Sequence, residues 1–150
     1  HGPQGMKITL DIAEATPSDN TFLRKSWVHL YRLQAHWDKL VREAIERWVY
    51  DDGGTGHLAA SQVVHRTNAL IPHGRRRVTF IRSAPRLLEH KNFIGGLKQV
   101  QDSLRLRRSK DGSYKGNHLI MDDSLAMLEE GDDRQVKGPP GTRIIVEDHE

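Results

Sequence analysis

Residues 77–104 read RVTFIRSAPRLLEHKNFIGGLKQVQDSL, and the change of period inside them decides the fold class. From Arg77 to Ser83 the side chains alternate, Val78 and Phe80 against Thr79 and Ile81, which is the period-two mark of a strand. Pro85 ends the strand, since proline has no N–H to offer a ladder. Asn92 then caps a helix whose apolar residues Phe93, Leu97, Val100 and Leu104 recur in steps of four, three and four. A strand leading into an amphipathic helix calls for a sheet with that helix laid on it.

Working outward, Met6–Ala13 alternates Met6, Ile8, Leu10 and Ile12 with polar residues and forms a first strand. Thr16-Pro17-Ser18-Asp19-Asn20 concentrates turn formers. Leu23, Trp27, Leu30, Leu33, Trp37, Leu40, Val41, Ala44, Ile45 and Trp48 then repeat at helical spacing and predict a helix of roughly 25 residues. All three tryptophans lie on that stripe, which suits a packed core better than a base-stacking platform. Asp51-Asp52-Gly53-Gly54-Thr55-Gly56 ends the helix. Residues 57–74 show no clear period. Arg105 to Asn117 reads as a basic loop, His118–Met121 as a short strand, and Thr142–Glu147 as a final β-branched strand entered through Gly138-Pro139-Pro140-Gly141. The order predicts an α+β fold, a small mixed β-sheet packed with two main helices, as one domain over 6–150. His1–Gly5 read as an expression scar.

At 150 residues the chain is long enough to bury about two thirds of its unfolded surface without staples. With 36% hydrophobic and 29% charged residues it belongs among folded domains rather than disordered or membrane proteins. No apolar run approaches the roughly 20 residues that span a bilayer, so no membrane partner is expected, and the cytosol is the default location. Zero cysteines exclude disulfides and thiol catalysis. The net charge is only +3, yet Arg66 to Lys115 carries 13 Lys/Arg against Glu89, Asp102 and Asp111, while Asp122 to Asp133 is acidic. Such polarity suits either a phosphate backbone or a set of solvated edges.

On the second helix, Lys91, Gly95, Lys98 and Asp102 fall on one stripe turned away from the apolar seam, with Lys98 and Asp102 spaced to pair. Two successive glycines cost a helix about 1 kcal/mol each relative to alanine, so Gly95 and Gly96 call for close approach of another backbone, either a phosphate strand or a neighbouring element. Glu89 lies just before this helix and Asp122-Asp123 follows Leu119-Ile120-Met121. If these carboxylates converge, they offer the oxygen ligands magnesium prefers; otherwise they are solvent-facing charges. His29 and His36, seven apart, lack a third ligand and read as surface residues. Nucleotide-binding and zinc-protease motifs are absent.

The string Glu89-His90-Lys91-Asn92, then Lys98, Asp102 and Leu119-Ile120-Met121-Asp122-Asp123, resembles the RusA-like Holliday junction resolvases of phages and prophages, whose pattern is Asp-x-Asp-Asn, a lysine, a helical Asp and an Asp-Asp pair after an apolar strand. Pro17-Ser18-Asp19-Asn20 looks like that family's early Pro-Ser-x-Asn turn, and Gln135 to Val146 like its closing strands. The resemblance implies a RusA-like fold and a homodimeric, Mg2+-dependent endodeoxyribonuclease that cuts four-way DNA junctions in recombination or repair. Carried over by position, Glu89, Asp122 and Asp123 would hold the metal, and Lys98 would touch the scissile phosphate. Branched DNA would meet Arg75, Arg76, Arg77, Lys91, Asn92, Arg105, Arg107 and Arg108. The chain departs from the pattern at Lys91, where the family has its second acid; a cation there removes a ligand and repels a metal ion. A junction-binding relative that does not cut, and a phage interaction or scaffold protein that binds an acidic partner, are the rival expectations.

Overall fold

The computed structural model describes residues 7–19, 26–51 and 56–149. The expected tag remnant, the start of the first helix around Leu23 and most of the glycine stretch after Asp51 lie outside them. In chain order the elements are β1 (Ile8–Ile12), α1 (Trp27–Tyr50), α2 (Ala60–Leu70), β2 (Arg76–Ala84), α3 (His90–Asp102), β3 (Leu106–Arg108), β4 (Tyr114–Gly116), β5 (Leu128–Glu130), β6 (Arg134–Lys137) and β7 (Gly141–Asp148). Among the described residues the fold is α+β, with a mixed five-stranded sheet and three helices. Among the described residues no helix is long and apolar enough to cross a membrane.

β2 is the central strand. It pairs antiparallel with β7, which in turn pairs antiparallel with β1, and its other edge pairs parallel with β5 at Arg76–Val78 and with β6 at Ile81–Ala84. Parallel pairing needs a crossover, and α3 lies within the connection from β2 to β5. The core forms on one face of the sheet, from Ile8, Leu10, Val78, Phe80, Ile144 and Val146 against Trp37, Val41 and Ala44 of α1 and Phe93, Leu97 and Val100 of α3. Each Val, Leu, Ile or Phe among them, fully buried, contributes about 1.5–3 kcal/mol.

Residues 57–74, which showed no clear period, contain α2. The expected basic loop after α3 is a two-stranded hairpin, β3–β4, and the expected strand over His118–Met121 is an irregular crossing that buries Leu119 and Ile120. The helix after Pro85 starts at His90, so Glu89, not Asn92, is its N-cap.

The tryptophan stripe holds for Trp37, which is buried, and Trp48, which is half-buried, but Trp27 is 77% exposed. The reason is length: 24 helical residues reach about 36 Å, while the β1 they cover spans roughly 17 Å, so the first turns of α1 overshoot the sheet. That end is held by Ser26, whose hydroxyl accepts from the N–H of His29 at 3.2 Å. His36 lies on the surface, its ring nitrogen 2.9 Å from Glu14.

Candidate nucleic-acid interface

α3 organises every residue expected to carry chemistry. Its buried seam is the expected one: Phe93, Leu97, Val100 and Leu104 are each 5% exposed or less. Lys91 and Lys98, two turns apart, face solvent on the opposite side. The glycine pair is explained by the chain itself. A Cβ on Gly96 would stand 1.7 Å from the carbonyl oxygen of Pro17, and one on Gly95 would stand 2.5 Å from the Asp19 carboxyl carbon. The early turn therefore packs its backbone directly on α3, and no phosphate strand is needed to account for these glycines.

The entry to α3 is fixed by Gln135 of β6, whose amide accepts from the N–H of Leu88 at 2.9 Å and donates to the carbonyl of Leu88 at 3.0 Å. Glu89 follows at once. Its carbonyl oxygen accepts from Phe93, but its carboxylate makes no capping hydrogen bond and is exposed. At the other end of the helix the N–H groups of Leu119 and Ile120 both donate to the carbonyl of Leu104, at 2.8 and 3.1 Å. Asp122 and Asp123 therefore emerge beside the C-terminus of α3, both exposed. Asp122 accepts from the N–H of Ser124 at 2.7 Å. Hydrogen bonds from the Ser124 hydroxyl and N–H, together with the charge of Arg105, hold its carboxyl below the usual carboxylate range.

A helix of 13 residues is about 20 Å long, so Glu89 and the Asp122–Asp123 pair are held at its two ends. Among the described residues no three His, Asp or Glu side chains come together in a way that could hold a metal ion. Within one chain, therefore, Glu89 and the Asp122–Asp123 pair do not converge as expected. An open depression lies between β1 and α1, lined by Asp11, Glu14, Glu43 and Arg47, and none of the expected site residues borders it.

The expected DNA-facing cations divide in two. Arg76 is 2% exposed, and its guanidinium donates to Asp148 at 2.9 Å, to the carbonyls of Leu70 and Leu119 at 3.0 and 2.8 Å, to that of Ile71 at 3.4 Å and to that of Ala69. It ties the C-terminal carbonyls of α2 to the sheet and cannot reach DNA. Strand parity explains this, because Arg76 shares a face with Val78 and Phe80 and stands directly opposite Asp148 in the register. Arg107 is likewise committed, to both carboxylate oxygens of Asp38 at 2.7 and 3.1 Å and to the carbonyl of Asp102. Asp102 meets Arg105 at 3.4 Å rather than Lys98. Elsewhere in the basic segment, Arg66 stacks on Trp48 at 5.0 Å and Arg82 donates to the carbonyl of Thr16 at 2.8 Å. Arg75, Arg77, Arg105 and Asn92 are half-buried. The cations left facing solvent are Arg86, Lys91, Lys98, Arg108, Lys110 and Lys115. They sit on α3, just before it, and on the hairpin after it.

No family model, curated protein or solved structure matches the chain.

Proposed function

We propose that the chain acts on branched DNA as a homodimer, a magnesium-dependent endodeoxyribonuclease of four-way junctions, in which Glu89 of one copy and Asp122 and Asp123 of the other share a site. One observation carries this reading: exposed carboxylates flank α3, Glu89 at its N-cap and Asp122 and Asp123 beside its C-terminus, with the solvent-facing Lys91 and Lys98 between them. A two-fold axis crossing such a helix near its middle would lay two copies antiparallel and bring each N-terminus beside the other's C-terminus. Lys98 would then face a phosphate lying along the paired helices, where a cation offsets the charge that builds during hydrolysis. Magnesium, when bound by such oxygens, supplies Lewis-acid polarisation.

The test is complementation. Glu89→Gln and Asp123→Asn should each abolish magnesium-dependent nicking of a synthetic four-way junction while leaving its binding intact. Refolding the two variants together should restore nicking, because a mixed dimer keeps one complete pair. Undiminished cutting by Asp123→Asn, or no recovery on mixing, refutes the shared site.

A second reading is favoured by Lys91, exposed in the first turn beside Glu89, where its cation opposes a divalent ion. On that reading the dimer recognises junctions without cutting them. No product with magnesium or manganese, together with a nanomolar shift of junction DNA, decides for it.

A further inference from the structure

The β3–β4 hairpin is a separate two-stranded ribbon, paired Leu106 to Gly116, Arg107 to Lys115 and Arg108 to Tyr114. Alternation gives its two sides different work. Arg107 points back to the body and is gripped by Asp38 of α1, and Asn117 just beyond the ribbon donates to the carbonyls of Asp38 and Ser103 at 3.2 and 2.9 Å. Leu106, Arg108 and Tyr114 share the outward side, where Leu106 is 42% and Tyr114 64% exposed. The tip is closed by its own hydrogen bonds. Ser109 donates to the carbonyl of Ser113 at 2.7 Å, and Asp111 accepts from the N–H and hydroxyl of Ser113 at 2.9 and 2.6 Å. Gly112 takes the left-handed backbone, φ 86°, that the turn needs.

The outcome is a braced ribbon with an unburied aromatic ring next to an arginine on the neighbouring strand. Between Arg105 and Lys115 it carries five cations and one acid. A tyrosine ring left in water at the end of a fixed support loses little entropy on binding, since only two side-chain torsions remain to be ordered. A flat apolar face flanked by cations matches a nucleotide, base against ring and phosphate against guanidinium or ammonium. An acidic peptide would use the cations and leave the ring without a role. Resting on the reading of the chain as a DNA-binding protein, we propose that the outward side of this hairpin, Tyr114 with Arg108 and Lys110, is a stacking site for an unpaired nucleotide of single-stranded or branched DNA.

The full-length protein is titrated with a short fluorescein-labelled oligodeoxythymidylate and, separately, with a four-way junction carrying 2-aminopurine at its branch point. Tyr114→Ala and Tyr114→Leu should each weaken oligodeoxythymidylate binding by roughly 5- to 150-fold, the worth of one base–aromatic stack, whereas Tyr114→Phe should retain wild-type affinity. The wild type and Tyr114→Phe should change the 2-aminopurine emission, and Tyr114→Ala should not. Arg108→Gln and Lys110→Gln should each reduce the slope of log K against log salt by about 0.7. Wild-type affinity in both Tyr114→Ala and Tyr114→Leu overturns the proposal, as does displacement of the oligonucleotide by polyglutamate of equal charge combined with indifference to Tyr114. Binding to oligodeoxythymidylate requires no hydrolysis, so a protein that never nicks leaves this outcome readable. A protein that nicks but binds single strands equally well without the ring sinks the stacking site alone.

Discussion

Asp133→Asn should make the protein more stable at pH 8 and leave it unchanged at pH 4. β5 and β6 both pair with β2 but are interrupted between Glu130 and Arg134, and the gap leaves the N–H of Phe80 without a strand partner. The Asp133 carboxylate takes that donor at 2.9 Å. Burial there, with Glu130 and Asp132 nearby, outweighs the hydrogen bond and pushes the Asp133 carboxyl up from 3.8 to about 6. The folded chain therefore keeps a proton that the unfolded chain has released, and stability falls as pH rises from about 4 through about 6. At 1.36 kcal/mol per pH unit the upper limit of that loss is about 3 kcal/mol, and the partial exposure of the group screens it to about 1 to 1.5 kcal/mol. Asparagine keeps an oxygen for the Phe80 N–H and carries no charge to desolvate. Thermal unfolding of both proteins between pH 4 and pH 8 should show a gain of roughly 3 °C for the variant at pH 8 that fades below pH 5. A variant less stable than wild type at pH 8, or a gap of the same size at both ends of the range, would refute the reasoning.

Gly96→Ala should cost about 3 kcal/mol in urea unfolding, since its methyl group meets the Pro17 carbonyl and backbone has to move. Arg76→Met should lower stability by about 3 kcal/mol, by leaving Asp148 and the carbonyls of α2 without their donors, yet junction DNA should bind normally below the melting temperature; weakened binding by the folded variant would restore Arg76 as a DNA contact. Arg107→Ala should cost about 2 kcal/mol by stranding the part-buried Asp38, and hydrogen exchange should quicken at the amides of β3 and β4 before those of the main sheet. Lys91→Asp should raise magnesium-dependent nicking if a cation is all that weakens the site beside Glu89; unchanged nicking would place the deficiency elsewhere.

Much of the architecture is written in local period. Val78 and Phe80, and Ile8 and Leu10, alternate with other residues, Ile144-Ile145-Val146 is a β-branched run, and all of them lie in strands, while Phe93, Leu97, Val100 and Leu104 recur at helical spacing and are buried together. Each pattern needs only a few neighbouring residues to be recognised. The demand of Gly95 and Gly96 for a close backbone was also legible, though the identity of that backbone, Pro17 to Asp19, was not. The buried face of Arg76 could have been read from its parity with Val78, and the hairpin from Asp111-Gly112 between two short basic runs, because aspartate–glycine is a turn former.

Tertiary structure alone decided where the acids go and which cations are spent on the fold. Glu89 and Asp122 belong to one pattern in sequence, yet the hydrogen bonds from Leu119 and Ile120 to Leu104 pin the second acid to the far end of α3. Asp38 and Arg107, 69 residues apart, find each other only because α1 passes the end of α3. Periodicity is a property of a few consecutive residues, so the chain carries it openly. Distances between elements follow from how rigid helices and strands of set length pack against one another, and no short stretch of sequence contains that information.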